Sequence, residues 1–251
     1  MVEALEGRPL AFQQWPQGIA TPGIFRQQLT GVPEWVTQVE VSHEKRVLKH
    51  VVADRPETLG WFAQQSLLTV HIWSSRAPHL EEPDWVVFDL DPADADRSTL
   101  ITVARALEGM LSELNLASVP KTSGKRGLHV LVPMARGHTH QDAVDFAVAV
   151  TRVLERGLPN LATTERSLSK RKGRLYLDAF QNGRGKTIVA PYTVRAVDGA
   201  QVSAPLRWSE VTEALDPAAF TIKTMPVRLR MVGDLFAPAL RGGQRLPRVR
   251  V

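Results

Sequence analysis

Cysteine is absent from this 251-residue chain. That absence excludes disulfides, thiolate metal sites and cysteine nucleophiles, and it fits a reducing compartment. No apolar run approaches the roughly 20 residues needed to span a bilayer. The first residues, Met1-Val-Glu-Ala-Leu-Glu-Gly-Arg8, lack the basic-then-apolar order of a signal peptide. These absences predict a cytoplasmic protein with no membrane partner. Repeats and low-complexity tracts are also missing, and Pro and Gly are scattered rather than gathered into a linker. One domain over residues 1–251 is the expectation.

Hydrophobic residues make up 43% of the chain, enough for a buried core. A net charge of +5, from 31 Lys and Arg against 26 acids, favours a polyanionic partner without identifying one. Turn signals at Trp15-Pro-Gln-Gly18 and Thr21-Pro-Gly23 make the first forty residues short strands and turns. A helix is predicted from Pro56 to about Leu68, then strands from Leu68 to Trp73 and from Trp85 to Asp91. Leu100, Val103, Leu107, Met110, Leu111 and Leu114 fall at helical spacing, so Ser98–Leu114 packs one face on a sheet.

A strand at Leu128–Pro133 follows a Gly-rich turn. Thr139 and Asp142 form a capping-box pattern that opens a helix ending near Gly157 with a left-handed cap. Beyond a basic loop at Ser169–Arg174, strands at Arg174–Phe180 and Thr187–Arg195 are separated by a segment whose Asn-Gly and Arg-Gly pairs suit a hairpin. Trp208–Leu215 reads as a short helix, and the remainder as irregular and Arg-rich. Strands interleaved with helices predict an α+β or α/β sheet protein.

In Trp85-Val-Val-Phe-Asp-Leu-Asp91, alternation sends Val86, Phe88 and Leu90 to one face and Asp89 and Asp91 to the other. Two carboxylates so close suit a hard divalent cation such as Mg²⁺ or Mn²⁺. Taken alone, the pattern is better explained by a capped Pro92 turn with one solvated Asp. Asp178 lies on a strand whose Leu175 and Leu177 face the other way, so it can complete the same site. Three acids on adjacent strands meet the needs of two-metal phosphoryl transfer.

The segment Lys121-Thr-Ser-Gly-Lys-Arg-Gly-Leu-His129 combines flexible glycines, a hydroxyl and three cations in one turn, a composition suited to a triphosphate. It is not a Walker A loop, because Arg follows Gly-Lys and a strand follows the turn. A solvated basic hairpin is the competing reading. Lys186, Arg195 and His71 are further polar residues within or at the ends of strands. His71 reads equally as a hydrogen-bonded core histidine.

Taken in order, Asp89-Leu-Asp91-Pro92, Thr122-Ser-Gly-Lys-Arg-Gly-Leu-His129, Leu177-Asp-Ala-Phe-Gln-Asn182 and Lys186-Thr-Ile-Val-Ala-Pro-Tyr-Thr-Val-Arg195 resemble the polymerase domain of bacterial DNA ligase D, a branch of the archaeo-eukaryotic primase superfamily. The likeness extends to Gly7-Arg-Pro-Leu10, Trp15-Pro-Gln-Gly18, Pro33-Glu-Trp35, His71-Ile-Trp-Ser-Ser-Arg76 and Phe220-Thr-Ile-Lys-Thr-Met-Pro226, so it spans nearly the whole chain.

The resemblance implies an α+β fold, a primase-type core of two packed sheets with an RRM-like element and flanking helices. The core would occupy residues 68–200, between a shortened strand and turn region at 1–45 and a C-terminal helix and basic tail at 201–251. It implies primer extension in DNA end joining or gap filling, with two Mn²⁺ or Mg²⁺ ions held by Asp89, Asp91 and Asp178. Ser123, Arg126, His129 and Arg195 match triphosphate contacts, and His71, Gln181 and Lys186 join the nucleotide set. Phe25 matches an aromatic that stacks on a base at the DNA end. Lys170, Arg171 and Lys172 match a mobile segment near the template, with Arg171 as its switching residue.

The implied partners are a DNA primer–template or DNA ends, nucleoside triphosphates, Ku and a separate DNA ligase. Two departures from the family pattern stand out. The segment whose lysines grip a 5′-phosphate is not found ahead of Gly7, so that grip is expected to be weak. Gln13 stands where a basic residue is usual, and Phe25 follows Ile24 where two aromatics often adjoin. A non-catalytic nucleic-acid-binding module and a metal-dependent nuclease are the alternative functions.

Overall fold

In the computed structural model, residues 1–43, 46–92 and 94–247 are described. In chain order, β1 (Leu10–Gln14), β2 (Ile24–Arg26), β3 (Leu67–Trp73), β4 (Trp85–Asp91), helix α1 (Arg97–Glu113), β5 (Val119–Thr122), β6 (Leu128–Pro133), helix α2 (His140–Gly157), β7 (Ala162–Thr163), β8 (Leu175–Asp178) and β9 (Thr187–Val189) build two sheets. The first has the order β9-β3-β1-β2 and the second β7-β8-β4-β6-β5. Two hairpins lie apart from them, Gln38–His43 with Arg46–Val51 and Ser75–Arg76 with His79–Pro83.

The second sheet contains the expected RRM-like unit. Its elements run β4-α1-β5-β6-α2-β8, and β8, β4, β6 and β5 stand side by side with β4 antiparallel to both neighbours. This split βαβ arrangement follows when two helical crossovers each skip one strand position.

Strand alternation divides the apolar residues of that sheet between two cores. Val86, Phe88, Leu90, Val130 and Leu177 face α1 and α2, meeting Leu100, Val103, Leu107, Phe146 and Val150. Trp85, Val87 and Leu131 face the other way and pack on Leu10, Phe12, Val70 and Ile72 of the first sheet. Burying a side chain of this size is worth about 1.5–3 kcal/mol, so both interfaces hold strongly. The sheets are therefore packed face to face, with helices covering the outer face of the second.

Local signals account for most of the element ends. Asp96 accepts from the amide of Thr99 at 2.7 Å and starts α1. Thr139 and Asp142 form the reciprocal capping box expected of α2. The end of α2 differs: Gly157 is its last helical residue and Leu158 follows at φ −129, so no left-handed cap is made. The predicted helix at 56–68 stops at Gln64. The predicted loop at 169–174 begins as a helical turn, Leu168–Arg171, closed by Lys172 at φ +53.

The predicted helix at 208–215 is only a 3₁₀ turn, Trp208–Glu210. The C-terminal region, expected to be irregular, holds a helix at Met225–Val232 with proline in its first turn, where the missing N–H costs nothing. The last residues of the predicted basic tail, 248–251, lie outside the described residues.

The hairpin predicted between Arg174–Phe180 and Thr187–Arg195 does not form. β8 pairs with β4 in one sheet and β9 with β3 in the other. The Asn-Gly pair fails as a turn because Asn182 is buried and bound elsewhere. Its Oδ1 accepts from Val87 N at 2.7 Å, and its Nδ2 donates to Val87 O at 2.8 Å. The segment thus carries the chain from one sheet to the other. That crossing helps to build the cleft between the two sheets.

Candidate nucleotide and metal site

Asp89 and Asp178 are direct cross-strand partners, and Asp91 pairs with Tyr176. With Leu90 and Leu177 committed to the helix-covered core, all three acids emerge on the face toward the first sheet. Asp89 lies recessed, with 28% of its side chain exposed. Burial, then the charges of Asp178 and Asp91, push its carboxyl up to about 7. A cation among the three would relieve that repulsion, and an all-oxygen donor set suits Mg²⁺ or Mn²⁺.

The acids are not drawn together in advance. Among the described residues no three metal-ligating side chains already form a closed cluster. Asp178 accepts from Phe180 N at 3.0 Å, and Asp91 Oδ2 lies 3.5 Å from Arg171 Nη1. Arg171 itself stacks 3.9 Å over the Tyr176 ring. The residues fit an ion by type and by facing, and these side chains must turn to close on it.

The turn after β5 is a hairpin whose tip cations, Lys125 and Arg126, are exposed, whereas the residues at its base are not. Lys121 and His129 are buried, with Lys121 Nζ 2.7 Å from both His129 Nδ1 and Ser203 Oγ. The amides of Lys125 and Gly127 point at Ser123 Oγ, at 3.3 and 3.1 Å, so these two are not presented to a ligand. Side chains carry the positive charge instead. Gly124, at φ +72, is needed because a Cβ there would stand 2.5 Å from Arg195 Cγ, and one at Gly127 would stand 2.6 Å from the Leu90 carbonyl. Tight packing on Arg195 and β4 is what these two glycines permit.

A cavity of about 420 Å³ gathers the two halves of the site. Asp89 and Asp91 line one side, Ser123, Lys125, Arg126 and His129 another, and His71, Gln181 and Arg195 complete it. Burial and then Arg195 lower the Lys125 pKa, while burial lowers that of Arg195 against the pull of Asp89. Crowded, partly dehydrated cations of this kind are stabilised by a bound anion.

His71 is pushed down to about 4 by burial, then Arg195 and Lys121, and is neutral near pH 7. Among the described residues, neither His71 Nε2 nor Arg195 Nε has a hydrogen-bond partner. Buried orphans beside a cavity are expected where a ligand supplies the missing partner. Neither residue is merely a satisfied core or edge group.

The other sequence-predicted residues differ in their relation to this cavity. Phe25, on β2, is 50% exposed, and its ring meets His71 edge-on at 5.7 Å between centroids. Gln181 donates to the Thr187 carbonyl, which fixes its side chain at the cavity wall. Lys186 is exposed and does not line the cavity, and Lys170 and Lys172 are exposed on the short helix and its cap.

Lys121, counted in the sequence as one of the cations of the turn, is instead buried behind it, and Ser203, its partner there, was not singled out. The first was legible: a turn centred on Lys125 sets Lys121 opposite His129, as observed. Ser203 arrives from 82 residues away and carries no local signal.

Comparison with known proteins places these features in one family. The family described as "LigD, primase-polymerase domain" matches residues 1–236. The multifunctional non-homologous end joining protein LigD of Mycolicibacterium smegmatis is 34% identical over 244 residues, covering 95% of this chain and 32% of that protein. The bifunctional LigD of Bacillus subtilis is 31% identical over 247 residues, covering 97% of this chain and 39% of that protein. The chain thus spans about a third of the length of the curated relatives it matches.

A solved structure, the polymerase domain from Mycobacterium tuberculosis ligase D in complex with DNA, superposes with a TM-score of 0.90. The two are 30% identical, and the match covers 97% of this chain and 88% of that one. With the motifs, the two packed sheets and the sequence match in agreement, the chain belongs to the LigD primase-polymerase family.

Proposed function

We propose that this chain is a metal-dependent nucleotidyl transferase that extends a primer strand with nucleoside triphosphates at DNA ends or gaps. The observation that carries the reading is the union, in one cavity, of Asp89 and Asp91 with the cations Lys125, Arg126 and Arg195. Asp178 stands beside Asp89 across the strand pair. Acids alone would suit hydrolysis, and cations alone would suit binding. Their combination fits transfer of a nucleotidyl group from a triphosphate.

In this reading the primer 3′-oxygen attacks the α-phosphorus and forms the new P–O bond. The bond to the oxygen bridging the β-phosphate breaks, and pyrophosphate leaves with the electron pair. Two divalent ions, Mn²⁺ or Mg²⁺, held by Asp89, Asp91 and Asp178, would lower the pKa of the attacking hydroxyl and neutralise triphosphate charge. Arg126, Lys125, Arg195 and Ser123 would orient the phosphates, and His71 would meet the incoming nucleotide. Phe25 would stack on a base of the DNA, with Lys170, Arg171 and Lys172 near the strands, and Lys186 would reach the nucleotide. Since the M. tuberculosis structure holds DNA and the relatives carry end-joining names, broken DNA ends, Ku and a DNA ligase are the proposed partners.

The test is incubation with a labelled primer–template, Mn²⁺ and either NTPs or dNTPs. Lengthening is expected, and Asp89→Ala or Asp91→Ala should abolish it while DNA affinity is largely kept. Shortening of the strand would show a nuclease instead, and a mobility shift without lengthening would show a binding module.

A further inference from the structure

We propose that Lys121 is a positioning residue that fixes His129 as the tautomer carrying its proton on Nε2, so that the ring presents an N–H donor to the triphosphate. The inference rests on the nucleotidyl-transfer reading and adds to it a buried relay behind the phosphate site.

The relay runs through three side chains that are 0–3% exposed. Ser203 Oγ lies 2.7 Å from the Thr122 carbonyl, which can only accept, so the hydroxyl proton is committed there. Ser203 Oγ must then accept from Lys121 Nζ, also at 2.7 Å. Lys121 Nζ has its second contact with His129 Nδ1, at 2.7 Å. If Lys121 donates here too, Nδ1 is unprotonated and the neutral ring carries its hydrogen on Nε2.

That atom faces the cavity, 3.5 Å from Asp89 Oδ1. With Asp89 ionised, the opposite tautomer would set an imidazole lone pair against the carboxylate oxygen. It would also leave one Lys121 hydrogen without the acceptor that Nδ1 now provides. Both consequences are costly in a buried site.

An ammonium, which has no lone pair, can only donate to Nδ1, and a neutral amine can do so as well. Burial lowers the Lys121 pKa well below the ordinary lysine range, against the opposing pull of Asp89. A neutral amine still has two N–H donors, enough for Ser203 and His129 together. Ser203 is itself held by the backbone: its amide donates to Thr193 O at 3.0 Å and its carbonyl accepts from Tyr192 N at 2.7 Å. The segment before Arg195 therefore anchors the far end of the relay, and the His129 ring orientation is tied to the loop that delivers Arg195.

The tautomer can be read without nucleotide, metal or DNA. Long-range ¹H–¹⁵N NMR of the chain labelled at its seven histidines, with His129 assigned through His129→Gln, should show a pyridine-type Nδ1 and a protonated Nε2. In Lys121→Met the ring should shift toward the Nδ1-protonated form, and the KM for the incoming nucleotide should rise about tenfold with little change in kcat, as for loss of one strong hydrogen bond. Lys121→Gln, which keeps two donors without the charge, should restore much of both.

A protonated Nδ1 in the wild type would overturn the proposal. An unchanged tautomer and KM in Lys121→Met would do the same. If Lys121→Met does not fold, the wild-type spectrum decides by itself. The expected tautomer without any primer extension would sink the functional reading and not the relay; extension with Nδ1 protonated would do the reverse.

Discussion

Arg171 Nη1 lies 3.5 Å from Asp91 Oδ2 while its guanidinium stacks 3.9 Å over Tyr176, the cross-strand partner of Asp91. Its Nε and Nη2 donate to the carbonyls of Glu165 and Arg166, both at 3.2 Å, so the side chain is held by its own loop as well. A cation thus already leans on one of the three acids that would hold metal, and it sits on a segment that ends in a left-handed residue, Lys172.

The first prediction is that Arg171→Gln tightens metal binding in the absence of nucleotide. The competing ion pair is partly solvated, with 53% of the Asp91 side chain exposed, so its worth is about 0.2–1 kcal/mol. Isothermal titration with Mn²⁺ should show a gain of no more than about fivefold. Weaker binding in the variant would show that Arg171 organises the acids rather than competing for them.

Asp89 provides a prediction about pH. Its folded pKa of about 7 lies above the ordinary 3.8, so the metal-free fold favours the protonated acid. The stability this supplies is full below about pH 4 and is lost as pH rises through about 7. The loss should be on the order of 2–4 kcal/mol, with the lower figure favoured because water reaches the carboxyl. In EDTA, the melting temperature of Asp89→Asn should exceed that of wild type at pH 8, with the gap closing near pH 4. A gap that stays constant across this range would remove the claim that burial and repulsion together disfavour the ionised Asp89 in the empty site.

Gly124 links the phosphate turn to Arg195. A methyl group at this φ +72 position would stand 2.5 Å from Arg195 Cγ and 3.0 Å from Ser203 N. Arg195 is a flexible side chain and can yield, whereas the Ser203 backbone yields less. Gly124→Ala should therefore cost about 1–2 kcal/mol of stability and raise the KM for nucleotide by displacing Arg195. A variant that binds nucleotide normally would separate Arg195 from the phosphate site.

How much of this was legible in the sequence differs by element. β4 and β6 were read to the residue, since alternation fixes their faces and Pro92 and Pro133 mark their ends. The triad was legible as three acids on like faces, but the pairing that sets Asp178 beside Asp89 depends on a partner residue 89 positions downstream. Asn182-Gly183 misled because the dipeptide is a local signal, while the buried amide of Asn182 is bound to Val87 in another strand. Ser203 stayed invisible for the same reason, its partners being Thr122 and Lys121. Local chemistry announces ends and faces, and long-range pairing decides what the faces enclose.

Phe25 carries the last prediction, which concerns the division of labour between the two sheets. The second sheet supplies the acids and the phosphate turn, whereas β2 is an edge strand of the first, and both Ile24 and Phe25 on it are exposed at 41% and 50%. An aromatic ring left half in water beside the cavity contributes little to folding but offers a stacking face. Its ring meets the cavity-lining His71 edge-on and is not itself part of the lining.

Phe25→Ala should leave the melting temperature nearly unchanged and weaken primer–template binding by about 1–3 kcal/mol, the worth of one stacked base. Fluorescence anisotropy with a labelled duplex end would then show a Kd raised from roughly fivefold to over a hundredfold. The KM for nucleotide, measured at saturating DNA, should move far less, because the ring does not line the phosphate cavity. Loss of nucleotide affinity with unchanged DNA binding would place Phe25 with His71 in the nucleotide site and leave the edge strand without a role in holding DNA.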